Sequence, residues 1–197
     1  MQPKLPSLRV FAEDWLKPIR LEALFDVSRP FEIDVGCGKG RFLLARAAKN
    51  PGTNFLGVDR MLRRIRKVDN KARRLGLANV RLMRMEAFYA VTHLVPADSV
   101  STYYILFPDP WPKKRHHDHR LFNEDFLNAL HRTMVAKGRL HFSTDHLPYF
   151  EEVKAILSAD PRFKEIPAFE PSDDERSDFE LYYIQHKKIG RCSFERA

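Results

Sequence analysis

The chemistry of this chain concentrates in four carboxylates, Asp34, Asp59, Glu86 and Asp109, each at or just beyond the end of a short apolar run. Asp109 has the most distinctive setting. It lies in Phe107-Pro-Asp-Pro-Trp-Pro-Lys-Lys-Arg-His-His-Asp-His-Arg120, where Pro108, Pro110 and Pro112 fix φ near one value and remove three backbone donors. A turn stiffened in this way can present one acid at the rim of a pocket, with the flat ring of Trp111 beside it. Lys113, Lys114, Arg115 and Arg120 follow closely, and so dense a run of cations suits a polyanion. A basic run after a strand is more often a solvated loop, but the Pro-Asp-Pro-Trp core favours a functional role.

Asp34-Val-Gly-Cys-Gly-Lys-Gly40 follows the first apolar run and opens a helix. Gly36, Gly38 and Gly40 let the backbone approach a ligand closely, because no Cβ intrudes. A dinucleotide fingerprint needs glycine at its sixth position, where Arg41 stands, and no Gly-Lys-Ser/Thr closes a P-loop. Read alone, any one of the acids is most simply a helix cap or a loop residue. Four in register point to a shared ligand. An acid after the second strand, Asp59, can accept two ribose hydroxyls. Asp34, near the glycine loop, suits an ammonium, and Glu86, after the third strand, suits an adenine amino group. The set matches S-adenosylmethionine, which carries an ammonium, a ribose, an adenine and a sulfonium.

The elements that must position these residues alternate in type. Residues 31–35, 54–58, 80–83, 99–107 and 138–143 read as strands. Residues 41–49, 61–75, 121–135 and 148–158 read as helices, the second with Met61, Ile65, Val68, Ala72 and Leu75 at helical spacing. Residues 163–169 and 179–185 read as a closing strand pair. This order predicts an α/β fold with a doubly wound, mostly parallel, seven-stranded sheet. Ligands in such sheets sit beyond the carboxyl ends of the strands, near the topological switch point. Residues 1–30 read as a short N-terminal extension, with helix-like content over 10–25 broken at Pro18, and residues 31–197 as the domain proper.

A chain of 197 residues suffices for one domain with a real core, and 44% hydrophobic with 30% charged residues is ordinary for a globular protein. The net charge of +8 points to an acidic partner such as nucleic acid. Cys37 and Cys192 form no CxxC pair, which argues against a disulfide framework or a cysteine zinc site and suits a reducing cytosol. No leader-like run follows Met1, and no stretch approaches the ~20 apolar residues that span a membrane. On the second helix Arg60, Arg63, Arg64, Lys67, Lys71 and Arg74 share a face, widened by Arg66 and Arg73, with Asp69 as the only acid among them. Such cations grip phosphates without reading sequence. His116, His117 and His119 invite a metal reading, but a flexible loop without cysteine makes a poor tetrahedral site. They read as partial cations beside RNA, and no metal is expected.

Together the motifs resemble the bacterial tRNA (guanine-N7-)-methyltransferases, Rossmann-like class I S-adenosylmethionine-dependent enzymes that methylate the variable-loop guanosine at tRNA position 46. The resemblance covers about residues 31–185 and is carried by Asp34–Gly40, Gly57-Val-Asp59, Glu86-Ala87, Phe107-Pro-Asp-Pro-Trp111 with Lys113 and Arg115, Ser143-Thr-Asp145, and Ser177-Asp-Phe-Glu180. Many methyltransferases share the glycine loop; the Pro-Asp-Pro-Trp turn with its Lys and Arg is far more specific. The resemblance implies a cytoplasmic enzyme, monomer or homodimer, that uses S-adenosylmethionine and acts on tRNA. It places Asp34, Gly36, Gly38, Gly40, Asp59, Glu86, Ala87 and Asp109 at the cofactor. Lys113, Arg115, Asp145, Ser177, Asp178, Phe179 and Glu180 fall at the tRNA, and Asp109 at the catalytic position. Asp145 reads nearly as well as an N-cap of the helix after it. The chain has Ser177 where the family usually has threonine, Asp34 where glutamate is common, and Glu86 where aspartate is common. These swaps keep charge or hydroxyl and change reach. The competing readings are a methyltransferase of another RNA, protein or small molecule, and an RNA-binding module on a decayed fold. A nicotinamide oxidoreductase ranks last because of Arg41.

Overall fold

The computed structural model describes residues 6–183 and 185–197. The strands are β1 (Arg9–Val10), β2 (Phe31–Val35), β3 (Asn54–Asp59), β4 (Val80–Arg84), β5 (Val100–Leu106), β6 (Met134–Thr144), β7 (Phe163–Ile166) and β8 (Gly190–Arg196). The helices are α1 (Arg41–Lys49), α2 (Leu62–Arg74), α3 (Ala87–Tyr89, continued by a wider turn over Ala90–Leu94), α4 (Glu124–Thr133), α5 (Leu147–Ala159) and α6 (Asp178–Tyr183). One sheet contains all the strands in the order β1-β4-β3-β2-β5-β6-β8-β7. Pairing is parallel from β1 through β6; β8 runs antiparallel to both β6 and β7. The chain order reverses at β2, between β3 and β5, which is the switch point where a ligand cleft is expected.

The central strands are near-continuous apolar runs because helices cover both faces. Leu43, Leu44, Phe55, Ile65 and Val68 form the core on the α1–α2 side. Ile33, Val91, Phe126, Leu130, Tyr149 and Val153 belong to the core on the other side. On α2, Ile65, Val68 and Ala72 are fully buried, so its apolar stripe is spent on the sheet.

Three expectations need correction. The sheet has an eighth, short edge strand: Arg9 and Val10 pair with Leu82 and Met83 of β4, drawing part of the expected extension into the sheet. Asp69 holds it there. Its buried carboxylate accepts from Ser7 Oγ at 3.0 Å and the Leu8 amide at 2.9 Å, and pairs with Arg9 and Arg73 at 3.8 and 3.5 Å. Second, the strand expected over 179–185 is the helix α6, with residue 184 outside the described residues. Ser177-Asp-Phe-Glu180 has the spacing of a capping box, and Ser177 Oγ accepts from the Glu180 amide at 3.0 Å. The alternating aromatic and polar residues there imitate a strand, but the local cap prevails. Third, the last strand is β8. His141 on β6 faces Ser193 on β8 at 2.7 Å, and Ser193 Oγ also accepts from the Phe169 amide at 2.9 Å. Burial, with Arg139 and Arg46 nearby, pushes His141 down to about 3, so the ring is neutral and its Nδ1 shares a hydrogen bond with Ser193 Oγ.

Gly57 shows how tightly the central strands pack. A Cβ there would lie 3.1 Å from both Cys37 Sγ and Leu82 Cδ2, and closer still to Leu43. Gly57→Ala is therefore expected to cost about 1–3 kcal/mol through overpacking. Urea unfolding should show a lower midpoint at an unchanged slope.

Candidate functional site

The glycine loop turns off β2 and folds over the end of β3, where the Gly36 and Cys37 amides donate to Val58 O at 2.8 and 2.9 Å. Gly36, Gly38 and Gly40 have φ of +82°, +56° and +75°, a region that side chains other than glycine's rarely tolerate. Their surroundings differ. No atom lies within 4 Å of where a Gly36 Cβ would sit, so that backbone faces open cleft. A Cβ on Gly40 would lie 2.6 Å from Val68 Cγ1. Gly40 is thus required for packing against α2, and close approach to a ligand belongs to Gly36.

Asp59, at the end of β3, is buried and already bonded. Oδ2 accepts from the Gly38 amide at 3.1 Å and faces Arg64 Nη1 at 3.3 Å; Oδ1 accepts from the Met61 amide at 2.7 Å. Three of about four lone-pair sites are taken. One hydroxyl can join this set as it stands, and a second requires Arg64 to swing away. Asp34 is buried beside it. Desolvation first, and the Asp59 charge second, push its carboxyl up to about 7. The same burial, with both acids, holds the Cys37 thiol well above its ordinary value, so it stays protonated. Asp59 has Arg64 as its cation; among the described residues Asp34 has none, and a cationic group is what it lacks.

Glu86 follows β4 and caps α3: its two oxygens accept from the Phe88 and Tyr89 amides, each at 2.9 Å. Ala87 and Phe88 follow it along the cleft wall. The Pro-Asp-Pro-Trp turn leaves β5 at Leu106. Phe107 and Trp111, at its two ends, have φ of +55° and +43°. Left-handed backbone at non-glycine residues costs of order 1–3 kcal/mol each and persists only where the surroundings enforce it. Arg120 is the main enforcer. Read in the sequence as a cation for a polyanion, it is buried instead. Nε donates to Pro110 O at 3.0 Å, Nη2 lies 3.5 Å from Trp111 O, Nη1 pairs with Glu152, and the guanidinium lies 4.9 Å from the Tyr149 ring centroid. The clamp leaves Asp109 with a side chain 72% exposed at the cleft mouth, 4.0 Å from Arg60 Nη2.

A single cleft of about 560 Å³ therefore collects Gly36, Asp59, Glu86, Ala87 and Asp109 at the carboxyl ends of β2 to β5. Asp34, Gly38 and Gly40 lie outside its lining. Arg60 and Arg64, read in the sequence as phosphate-gripping cations of the second helix, line it instead, as do Leu121 and Asn123 before α4, which the sequence reading missed. The signal for those two was adjacency to the basic loop. The cleft size and lining fit an adenosine-bearing cation: an open glycine backbone at Gly36 and a carboxylate with a free lone pair at Asp59, with the buried Asp34 beside Asp59 outside the lining.

The expected tRNA residues lie apart from the cleft lining. Lys113 and Arg115 are exposed. Trp111 packs against His116 and His119, with centroids 5.7 and 5.0 Å away. The side chains of Lys114 and His117, from the basic and histidine readings, lie outside the described residues. Among the described residues no group of three or more His, Cys, Asp or Glu is arranged to hold a metal ion. Asp145 is not the N-cap of α5; His146 is, accepting from the Tyr149 amide at 3.2 Å, and Asp145 pairs with Lys187 at 2.5 Å. Phe179 lies against Phe107 with centroids 5.1 Å apart, which brings α6 to the turn, and Asp178 is exposed beside it. Glu180, expected at the purine, is only 1% exposed and is clamped by Arg191, with Arg176 at 3.7 Å. A buried acid between two guanidinium groups holds α6 to β8.

The architecture is that of the Rossmann-like methyltransferases. The antibiotic-resistance methyltransferase Kmr superposes with a TM-score of 0.63 at 20% identity, covering 89% of this chain and 91% of that one. The 16S rRNA methyltransferase KamB gives 0.64 at 15% identity, covering 89% of each. Residues 28–185 match the family model described as putative methyltransferase, and the chain belongs to that family. Its curated relatives include the tRNA (guanine-N(7)-)-methyltransferases of Leifsonia xyli subsp. xyli, 38% identical over 72% of this chain, and of Halorhodospira halophila, 38% identical over 74%. The chain spans 62% and 63% of the length of those two relatives.

Asp34 gives the site a pH signature. Its folded pKa is raised, so the native state holds a proton that the unfolded chain releases. Its contribution to stability is present in acid and is lost as pH rises from the ordinary carboxylate range through about 7. Asp34→Asn should stabilise the ligand-free protein at pH 8 by on the order of 2 kcal/mol and leave it little changed at pH 4. Denaturant titrations at both pH values check this, and an equal effect at both would contradict it.

Proposed function

We propose that this protein is a tRNA (guanine(46)-N7)-methyltransferase that uses S-adenosylmethionine and works in the cytoplasm, with residues 31–197 as its catalytic unit. The observation that carries the reading is the single cleft shared by Gly36, Asp59 and the strained Asp109 turn. The family membership and the names of the relatives support it, as does the net charge of +8. Among the described residues no helix is long and apolar enough to cross a membrane.

S-adenosylmethionine, when bound, supplies an electrophilic methyl group on a sulfonium. Asp59 would hold a ribose hydroxyl with its remaining lone pair, and Asp34 would face the ammonium. Each Glu86 oxygen keeps a lone pair beyond its capping bond, enough to accept from an adenine amino group. Guanine N7 carries a lone pair and no proton, so no general base is needed. The chain's contribution is then position and electrostatics. Asp109 stands where the purine would enter and stabilises the positive charge that grows on its ring. Phe107 and Phe179 offer aromatic surface beside that entry, and bases stack on such surface. Asp145, once free of Lys187, and the exposed Asp178 would accept hydrogens from the base edge. Ser177 acts as the cap of α6. Lys113 and Arg115 meet tRNA phosphates.

Two variants test the assignment. Asp109→Ala should lower turnover by about 100-fold or more while the circular dichroism and thermal unfolding stay those of the wild type. Turnover near wild type would remove Asp109 from the mechanism. Lys113→Glu should raise the KM for tRNA several-fold and leave that for S-adenosylmethionine unchanged; equal effects on both would move Lys113 away from the RNA. Unmodified tRNA transcript incubated with labelled cofactor, followed by mapping of the modified nucleotide, tests the reaction itself.

A further inference from the structure

Asp69, the only acid of α2, is buried beneath the helix and bound to Ser7, Leu8, Arg9 and Arg73. The solvent face of α2 is left without a negative charge. At about 100° per residue, Arg63, Arg66, Lys67 and Arg74 project opposite the buried Ile65, Val68 and Ala72. All four are exposed, and among the described residues none of them has an ion pair. The row is about 16 Å long. Its start adjoins the cleft, because Arg60 and Arg64 line that cleft and face Asp109 and Asp59. An ordinary solvated helix mixes signs; here four unpaired cations run away from the methyl-transfer site.

We propose that the exposed face of α2 is a second nucleic-acid docking surface, a track for the phosphate backbone of a structured RNA whose target base lies in the cleft. The inference rests on the reading of the substrate as RNA and adds where the rest of that molecule lies. An anionic membrane fits less well. A surface-lying helix inserts an apolar face, whereas that of α2 is buried in the sheet, with exposed apolar residues only at the ends, Met61 and Leu75. The row lacks base-reading geometry and supplies affinity alone.

The test is the full chain carrying Arg63→Ala, Arg66→Ala, Lys67→Ala and Arg74→Ala together. These are solvent positions, and alanine keeps the helix. The expected result is a slope of log affinity for tRNA transcript against log salt that is shallower by about 3. The affinity deficit, on the order of 100-fold at about 0.05 M salt, should shrink roughly 60-fold by about 0.2 M. S-adenosylmethionine affinity and turnover at saturating tRNA should match the wild type. The variant with lysine at the three arginine positions should restore binding, since a phosphate contact needs only a point charge. A wild-type slope and affinity in the alanine variant overturn the proposal. So does a variant that loses binding to phosphatidylserine vesicles while binding tRNA as before. A wild-type protein that neither binds nor methylates tRNA sinks the parent reading as well, whereas wild-type methylation with an unchanged variant sinks only this surface.

Discussion

Two carboxylates buried side by side at adjacent strand ends are the constraint around which the site is organised. Asp34 and Asp59 are buried together under the glycine loop, and burial first, with the Asp59 charge second, disfavours the ionisation of Asp34. The fold relieves Asp59 with two backbone amides and Arg64. Asp34 takes the cost, and it is met in the ligand-free protein by holding a proton. A cationic ligand would relieve the same cost directly. The apo fold is therefore less stable at neutral pH than a neutral residue at 34 would make it, and the deficit becomes binding energy once positive charge enters.

The other half of the site depends on a different stabiliser. Asp109 is exposed, and among the described residues its carboxylate has only the exposed Arg60, at 4.0 Å, as an ion-pair partner. Its position comes from the backbone, through left-handed residues at both ends of the turn and the Arg120 clamp on Pro110 O. Prolines alone limit φ; they do not choose which way a turn faces. The buried guanidinium, stacked on Tyr149 and paired with Glu152, makes that choice and ties the turn to α5. The acid is exposed at its tip and clamped at its root, an arrangement suited to a group that must meet charge as it develops on a base.

Much of this was legible in the chain. The alternation of apolar runs with amphipathic helices implied the parallel sheet, and three of the four acids at strand ends, Asp59, Glu86 and Asp109, do line one cleft, because strand direction sends every carboxyl end to one edge. What the sequence hid was pairing. Nothing local distinguishes Arg120, buried under the turn, from Lys113 beside it in solvent. Glu180 reads as a site acid, but Arg191, beyond α6 in the chain, buries it. Gly36 and Gly40 look equivalent in the motif, yet one opens onto the cleft and the other makes room for Val68. The missed α6 was readable from Ser177 and Glu180, had the cap been weighed above the aromatic alternation. β1 was not readable, since two residues carry no periodicity and the anchor, Asp69, lies sixty positions on.

That anchor links parts of the molecule that look independent. Asp69 seats Ser7 and Leu8 against α2; one position earlier on the helix, Val68 fills the hollow that Gly40 leaves under the ligand loop. Removing Ser7 and Leu8 would strip hydrogen-bond donors from an enclosed anion. The helix would then tend to roll so as to bring that anion to water, carrying the floor of the glycine loop with it. Ser7 and Leu8, remote from any chemistry, in this way help set the shape of the place where a methyl donor would rest.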